Sequence, residues 1–316
     1  MANFALIGLG GYIAPRHLQA INETGNTLIA ALDPSDSVGI IDKHFPDADF
    51  FIEPERFDRY VDKQRRSGNK VDYVSICSPN YLHDSHIRLS LRNQADAICE
   101  KPLVLNPWNI DALKIIEQET GKKIYNILQL RLHDNILKLK EYLDGEDANE
   151  IYDVDLTYIA SRGKWYDRSW KGNIEKSGGV ATNIGIHFFD MLSFLFGDVG
   201  KNIVHLSQPH KAAGFLMLKK ARVRWFVSID YNDIPDAVKA KGERTFRSIT
   251  MNHNEEIEFS NGFTNLHIKS YQDILNGGGF GIEAARPAIE TVFAIRNAVP
   301  VGKKGDYHPF IHNMKV

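Results

Sequence analysis

Along the first third of the chain, short apolar runs alternate with amphipathic stretches. Phe4 to Gly8, Thr27 to Asp33, Asp72 to Pro79 and Ala95 to Glu100 are dense in apolar and β-branched residues, the pattern of strands buried on both faces. Between them, Ala14 to Glu23, Pro54 to Arg66, Leu82 to Asn93 and Pro107 to Thr120 carry helical spacing. Strand and helix in regular alternation predict a doubly wound α/β domain, a parallel sheet covered on both faces. Gly121-Lys122-Lys123 closes the last helix with a glycine and two basic residues, which sets the end of this domain at residue 123.

Beyond residue 123 the pattern changes to strands that follow one another directly. Ile151 to Ala160, Ile203 to Ser207, Gly214 to Leu218, Ala221 to Asp230, Phe246 to Met251 and Glu256 to Phe259 alternate or concentrate β-branched and aromatic residues. Helices are predicted at Thr182 to Phe196, His267 to Asn276 and Ile282 to Ala298. Residues 124–316 therefore form a second, α+β domain on a mostly antiparallel open sheet.

The charge is nearly balanced, 38 basic against 40 acidic side chains. No global field gathers nucleic acid or an anionic membrane, so neither is expected as a partner. Cys77 and Cys99 lie in apolar stretches without zinc-site spacing and read as reduced core thiols. The N-terminal MANFALIGLGG lacks a basic leader and a long apolar run, so a cytoplasmic protein is expected.

Gly8-Leu9-Gly10-Gly11-Tyr12-Ile13 follows the first strand and opens the first helix. Glycines there permit a tight turn and let the backbone approach a pyrophosphate seated on the helix N-terminus. Ile13 stands where a third glycine is usual, and taken alone the motif also describes an ordinary glycine turn. The second strand ends at Asp33, where a carboxylate accepts hydrogen bonds from a ribose 2'-hydroxyl and repels a 2'-phosphate, favouring NAD. Asp33 also suits a plain turn before Pro34. Ser37 is a second ribose candidate or a solvated loop serine.

Later strands end in Ser78-Pro79-Asn80-Tyr81-Leu82-His83 and Glu100-Lys101-Pro102, positions that face the ligand crevice of an open α/β sheet. Beside a bound nicotinamide, desolvation and nearby positive charge would lower the pKa of Lys101 and suit it to take a hydroxyl proton. Its plain alternative is a lysine capping a strand or paired with Glu100.

The order of glycine turn, Ser78-Pro79-Asn80 with His83, and Glu100-Lys101-Pro102 resembles the Gfo/Idh/MocA oxidoreductases. That resemblance implies an N-terminal Rossmann domain, a C-terminal α/β domain that builds dimers and tetramers, NAD as cofactor, and Lys101 as a catalytic residue followed by a proline often in the cis form. The family's second mark, Asp-x-Gly-x-His with a further acid, falls on Asn183, Gly185, His187 and Asp190, with asparagine in place of the usual aspartate. An amide takes no proton, so Asn183 would orient a sugar hydroxyl, and acid–base work passes to Lys101 and His187. Asp190, at i+3, would orient the His187 imidazole. A histidine and a carboxylate are too few for a metal site, so metal catalysis is not expected.

Within the family, Gly10 to His17, Asn126 to Arg131 and Thr182-Asn183-Ile184-Gly185 resemble UDP-N-acetyl-glucosaminuronate 3-dehydrogenases. This narrower likeness implies 3'-oxidation of UDP-N-acetyl-2-amino-2-deoxyglucuronate for O-antigen synthesis, Gln129 and Arg131 near the nicotinamide, a homotetramer, and 2-oxoglutarate as a means of reoxidising NADH. Ser161 to Gly172 interleaves basic and aromatic residues, which suits an anionic nucleotide sugar through Lys164, Trp165 and Arg168, or describes a basic surface loop. A dehydrogenase of a free sugar or polyol, an NAD-dependent glycoside hydrolase and a non-catalytic NAD-binding subunit are the rival readings.

Overall fold

The computed structural model describes residues 1–147, 149–252, 255–256 and 265–314. Its elements run β1 (Asn3–Ile7), α1 (Ala14–Glu23), β2 (Thr27–Leu32), β3 (Asp49–Phe51), α2 (Pro54–Arg66), β4 (Tyr73–Ile76), α3 (His83–Arg92), β5 (Asp96–Cys99), α4 (Pro107–Thr120) and β6 (Ile124–Asn126). There follow α5 (Asp134–Gly145), β7 (Tyr152–Ala160), α6 (Trp165–Arg168), α7 (Ile174–Ser177), α8 (Ile186–Phe196), β8 (Val199–Ser207), β9 (Lys211–Leu218) and β10 (Ala221–Ser228). The rest are α9 (Asp236–Lys239), β11 (Thr245–Met251), β12 (Glu255–Glu256), α10 (Leu266–Leu275) and α11 (Ile282–Asn297).

β1 to β6 form an all-parallel sheet in the order β3-β2-β1-β4-β5-β6. The winding reverses between β1 and β4, which makes the C-terminal ends of those strands the crevice of the sheet. The second sheet has the order β12-β11-β7-β10-β9-β8 and is antiparallel except where β10 runs parallel to β7. Both fold classes expected from the sequence are present.

The compact units divide the chain differently from a boundary at 123. One is Met1–Gln129 with the described part of Thr264–Arg286; the other is the described part of Leu130–Phe263 and Pro287–Val316. β6, only three residues long, pairs with β5 and keeps the chain in the first sheet past residue 123. α10 also belongs to the first unit, because Ile268, Tyr271 and Ile274 share a buried cluster with Leu18 and Ile21 of α1.

β3, equally short, is too brief to show as an apolar run. α5 was not predicted because it buries only Ile136 and Leu143, its other apolar side chains Leu137, Leu139 and Tyr142 standing exposed or half-buried among charges. The strand expected at Glu256 to Phe259 begins in β12, and its remainder lies outside the described residues.

In the second unit α8 is buried on nearly every side. Phe189 meets Trp225 of β10 edge to face at 5.1 Å, and Tyr152 of β7 lies 6.0 Å from Phe196. Deleting one such core aromatic costs about 3–5 kcal/mol. The stretch Ile174–Phe196 is long and apolar enough to cross a membrane, but 78% of its most apolar window is buried, as in the core helix of a globular unit.

Candidate active site

The turn after β1 is built around backbone. Gly8 has φ +91, and a Cβ there would lie 2.6 Å from the Cys77 carbonyl carbon and the Ser78 amide. No L side chain fits this position, so the loop brings bare backbone to the ends of β1 and β4. Gly11 donates to the Gly8 carbonyl at 3.0 Å. Ile13, in place of a third glycine, is the N-cap residue of α1, with Pro15 in the first helical turn, and Tyr12 stands 90% exposed at the mouth of the turn.

Asp33 accepts from the Gly10 amide at 2.8 Å through Oδ2 and from the Ser35 amide at 2.8 Å through Oδ1. It therefore fixes the glycine loop as well as presenting its charge beside it. Ser37 is exposed, its amide donating to Ser35 Oγ at 3.3 Å.

At the end of β4, Ser78 Oγ lies 2.8 Å from His86 Nδ1. Burial, and then His83, push His86 down to about 4, so its ring is neutral. Asn80 is buried in the first turn of the following 3-10 helix. His83 is buried between two carbonyls, Pro102 O at 2.7 Å from Nδ1 and Ser78 O at 2.9 Å from Nε2. It thus ties the turn after β4 to the turn after β5. Burial lowers its pKa against the pull of both carbonyls, and a neutral ring donates to only one of them.

Lys101 follows β5 and is partly buried; the Lys101–Pro102 peptide is cis. Its backbone is held from several directions. The Lys101 amide donates to Glu100 Oε2 at 3.2 Å, and Asn126 Nδ2 donates to the carbonyls of Cys99 (2.9 Å) and Glu100 (3.2 Å). Asn126 was not singled out by the sequence, since its role depends on β6 lying beside β5. Both cysteines are free and buried, and burial pushes their thiols well up, which suits inert core thiols.

Glu100 is buried, with Oε1 3.0 Å from His17 Nε2 and 2.9 Å from His267 Nε2. Burial pushes its carboxyl up, but the hydrogen bonds from the two histidines outweigh this and hold it well below the usual carboxylate range. These three residues offer candidate metal-ligand atoms within 4.8 Å of one another, though the spacings are equally those of two imidazole N–H groups on one oxygen. The sequence signal was available in part: His17 sits in the buried stripe Ala14, His17, Leu18, Ile21 of α1. At the end of the first unit, Gln129 has a buried Oε1 with no partner among the described residues, an acceptor available to a ligand.

In the second unit the segment before α8 forms a turn of π-helix, Ala181–Gly185, with Asn183 buried. Asn183 Nδ2 donates to Tyr166 Oη at 2.9 Å, which fixes the orientation of its amide. Tyr166, which the sequence did not single out, is the buried aromatic of the basic–aromatic loop. Its neighbours Lys164, Trp165 and Arg168 are exposed on or beside the short α6. His187 is partly buried in the first turn of α8.

Asp190 does not take the role the helical spacing suggested. It accepts both arms of the Arg131 guanidinium, Nε at 3.0 Å and Nη2 at 2.7 Å. The forked geometry of arginine matches both carboxylate oxygens, and it commits Arg131 to α8. Burial raises the Asp190 carboxyl more than Arg131 lowers it.

Comparison with known proteins places these features in a family context. Residues 2–127 match the Gfo/Idh/MocA model described as oxidoreductase family, NAD-binding Rossmann fold, and residues 140–233 match its C-terminal alpha/beta domain. Two structures of the WlbA (WbpB) dehydrogenase from Thermus thermophilus are 50% identical, covering 98% of this chain and 100% of theirs. One is in complex with NAD and alpha-ketoglutarate (TM-score 0.95), the other with NAD and UDP-GlcNAcA (TM-score 0.94). The glucose-6-phosphate 3-dehydrogenase of Bacillus subtilis is 22% identical over 205 residues, 62% of this chain and 54% of its own length. Among the curated relatives the match spans 36% to 60% of the relative's length in the leading cases.

Proposed function

Because the chain belongs to the Gfo/Idh/MocA oxidoreductase family, we propose that it oxidises the 3'-hydroxyl of UDP-N-acetyl-2-amino-2-deoxyglucuronate to the 3-keto sugar with NAD. The observation that carries this reading is a half-identical protein, matched over 98% of the chain, in complex with NAD and UDP-GlcNAcA.

The first unit fits NAD. Gly8 leaves backbone where a side chain would stand, α1 begins within the same turn, and Asp33 is anchored beside it. Gly8, Gly10 and Gly11 with Tyr12 and Ile13 would hold the pyrophosphate, Asp33 and Ser37 the adenosine ribose. Ser78, Asn80, His83, Glu100, Gln129 and Arg131 are the candidates for the nicotinamide half, Arg131 being the weakest because Asp190 already occupies its fork. When bound, NAD supplies the hydride acceptor.

Lys101 accepts the proton of the sugar hydroxyl, with its backbone already fixed. His187 shares the acid–base work, Asn183 presents its amide oxygen to a sugar hydroxyl, and Lys164, Trp165 and Arg168 meet the anionic nucleotide. The alpha-ketoglutarate in the other Thermus complex supports 2-oxoglutarate as the reoxidant of NADH, being reduced to 2-hydroxyglutarate. A cytoplasmic homotetramer working in O-antigen sugar synthesis completes the reading; light scattering on the purified chain checks the tetramer.

The deciding assay incubates purified protein with UDP-N-acetyl-glucosaminuronate and NAD, with and without 2-oxoglutarate. A nucleotide sugar lighter by two hydrogens, together with 2-hydroxyglutarate in the arm that contains 2-oxoglutarate, is expected. Turnover of free sugars alone would leave only the broader dehydrogenase assignment.

Asp33→Ser should weaken NAD binding by about 10- to 100-fold, the worth of hydrogen bonds to a charged group, and narrow the preference for NAD over NADP. Titration of both cofactors checks this. An unchanged NAD/NADP ratio would place the ribose elsewhere.

A further inference from the structure

Glu100 and Lys101 belong to a hydrogen-bonded train that reaches into α10, a segment the expected reaction does not otherwise use. Ser75 Oγ lies 2.6 Å from Tyr271 Oη, and Tyr271 Oη lies 2.7 Å from His17 Nδ1. His17 and His267 then converge on Glu100 Oε1, while Glu100 Oε2 receives the Lys101 amide. One proton assignment satisfies every contact. Ser75 donates to Tyr271, Tyr271 donates to His17 Nδ1, both imidazoles donate Nε2–H to Glu100, and the carboxylate accepts all three N–H groups.

Ser75, Tyr271, His17, His267 and Glu100 are all buried, so no solvent competes for the bonds among them and the orientation of Glu100 is set by protein groups alone. The assignment leaves His267 Nδ1 buried without a partner among the described residues. A leucine would fill that space without the orphaned atom, so packing alone gives no reason for a histidine here.

We propose that His17, His267 and Tyr271 are positioning residues that hold the Glu100 carboxylate against the Lys101 amide, and thereby set where the Lys101 ammonium group stands. The proposal rests on the catalytic reading of Lys101. α10 contributes two of these residues although it follows β5 by more than a hundred and fifty positions, His267 being 167 residues from Glu100. Loss of the His267 N–H leaves the carboxylate held from one side and frees it to swing from the Lys101 amide. A shift of the reacting group by an ångström is enough to slow chemistry by about a hundredfold.

The test uses the full chain bound to NADH, with site-resolved hydrogen–deuterium exchange at the Lys101 amide and steady-state kinetics. His267→Leu should speed exchange at Lys101 and lower kcat by about 10- to 100-fold, leaving NADH affinity and exchange in β1 unchanged. His267→Gln, which returns an N–H toward Glu100, should restore most of both. Tyr271→Phe removes one oxygen and should move the same two readouts in the same direction, and it carries the test if His267→Leu fails to fold.

Unchanged exchange at Lys101 in these variants overturns the proposal, as does an equal loss in His267→Gln. One tightly bound transition metal ion per chain in the wild type, by elemental analysis, would also overturn it in favour of a metal centre. Should the wild type not turn over the nucleotide sugar, the functional reading falls, while the exchange measurement still decides the positioning role.

Discussion

Replacing Lys101 by alanine is expected to lower kcat by about 10²- to 10⁴-fold, the usual contribution of a positioned acid–base group, with NADH affinity little changed. The structure separates the side chain from the support of the loop. The backbone around Lys101 is held by the Glu100 carboxylate, by Asn126 on the two preceding carbonyls, and by His83 at Pro102. None of these bonds uses the lysine side chain, so all of them survive its removal. Lys101→Arg is the informative companion. It keeps a positive charge but never gives up its proton in the working range, so it should stay nearly as inactive as alanine if proton acceptance is the function. Recovery of activity in the arginine variant would reduce Lys101 to an electrostatic or binding role. Activity of the alanine variant within about threefold of wild type would remove it from acid–base chemistry altogether.

The parts of this site legible in the sequence are those that a short stretch of chain specifies by itself. Gly8 could be read because a strand-to-helix turn needs a residue free to adopt positive φ, and Asp33 because the second strand ends there. Lys101 stood out as a polar residue ending an apolar strand. The residues that escaped are defined by partners far along the chain. Tyr271 meets His17 at a separation of 254 residues and Ser75 at 196; on α10 alone it is one more aromatic in a buried stripe. Asn126 gains its role only because β6, three residues long, lies beside β5. Asp190 shows the opposite error. Helical spacing offered His187 as its partner, but a buried carboxylate is better satisfied by the fork of an arginine 59 residues away.

That same pair carries the second large effect. Arg131→Met should destabilise the second unit by about 3–5 kcal/mol near neutral pH, because it leaves the Asp190 carboxylate buried without its countercharge. Asp190 is 2% exposed, and the methionine keeps the apolar stem of Arg131 while losing the guanidinium, which also stands 5.3 Å over the Phe194 ring. Packing loss is therefore the smaller part of the cost. The pH dependence identifies the cause. Burial already raises this carboxyl above its ordinary value in the folded chain, and Arg131 opposes that rise; without the arginine it moves higher. The folded state then binds a proton more tightly than the unfolded one, so stability falls as pH rises from the ordinary carboxylate value through the raised one, and levels off above it. Urea midpoints at about pH 5 and about pH 8 should accordingly show the variant closer to wild type at the lower value. The double variant Arg131→Met with Asp190→Leu should recover most of the loss and remove its pH dependence, since no buried charge remains. A deficit equal at both pH values, or one that the second substitution does not relieve, would mean that the guanidinium acts through packing rather than through the carboxylate. Because His187 stands one turn before Asp190 on α8, the single variant should also lower kcat in the assay for nucleotide-sugar oxidation at temperatures where it remains folded, and the double variant, lacking the clamp, should not regain that rate.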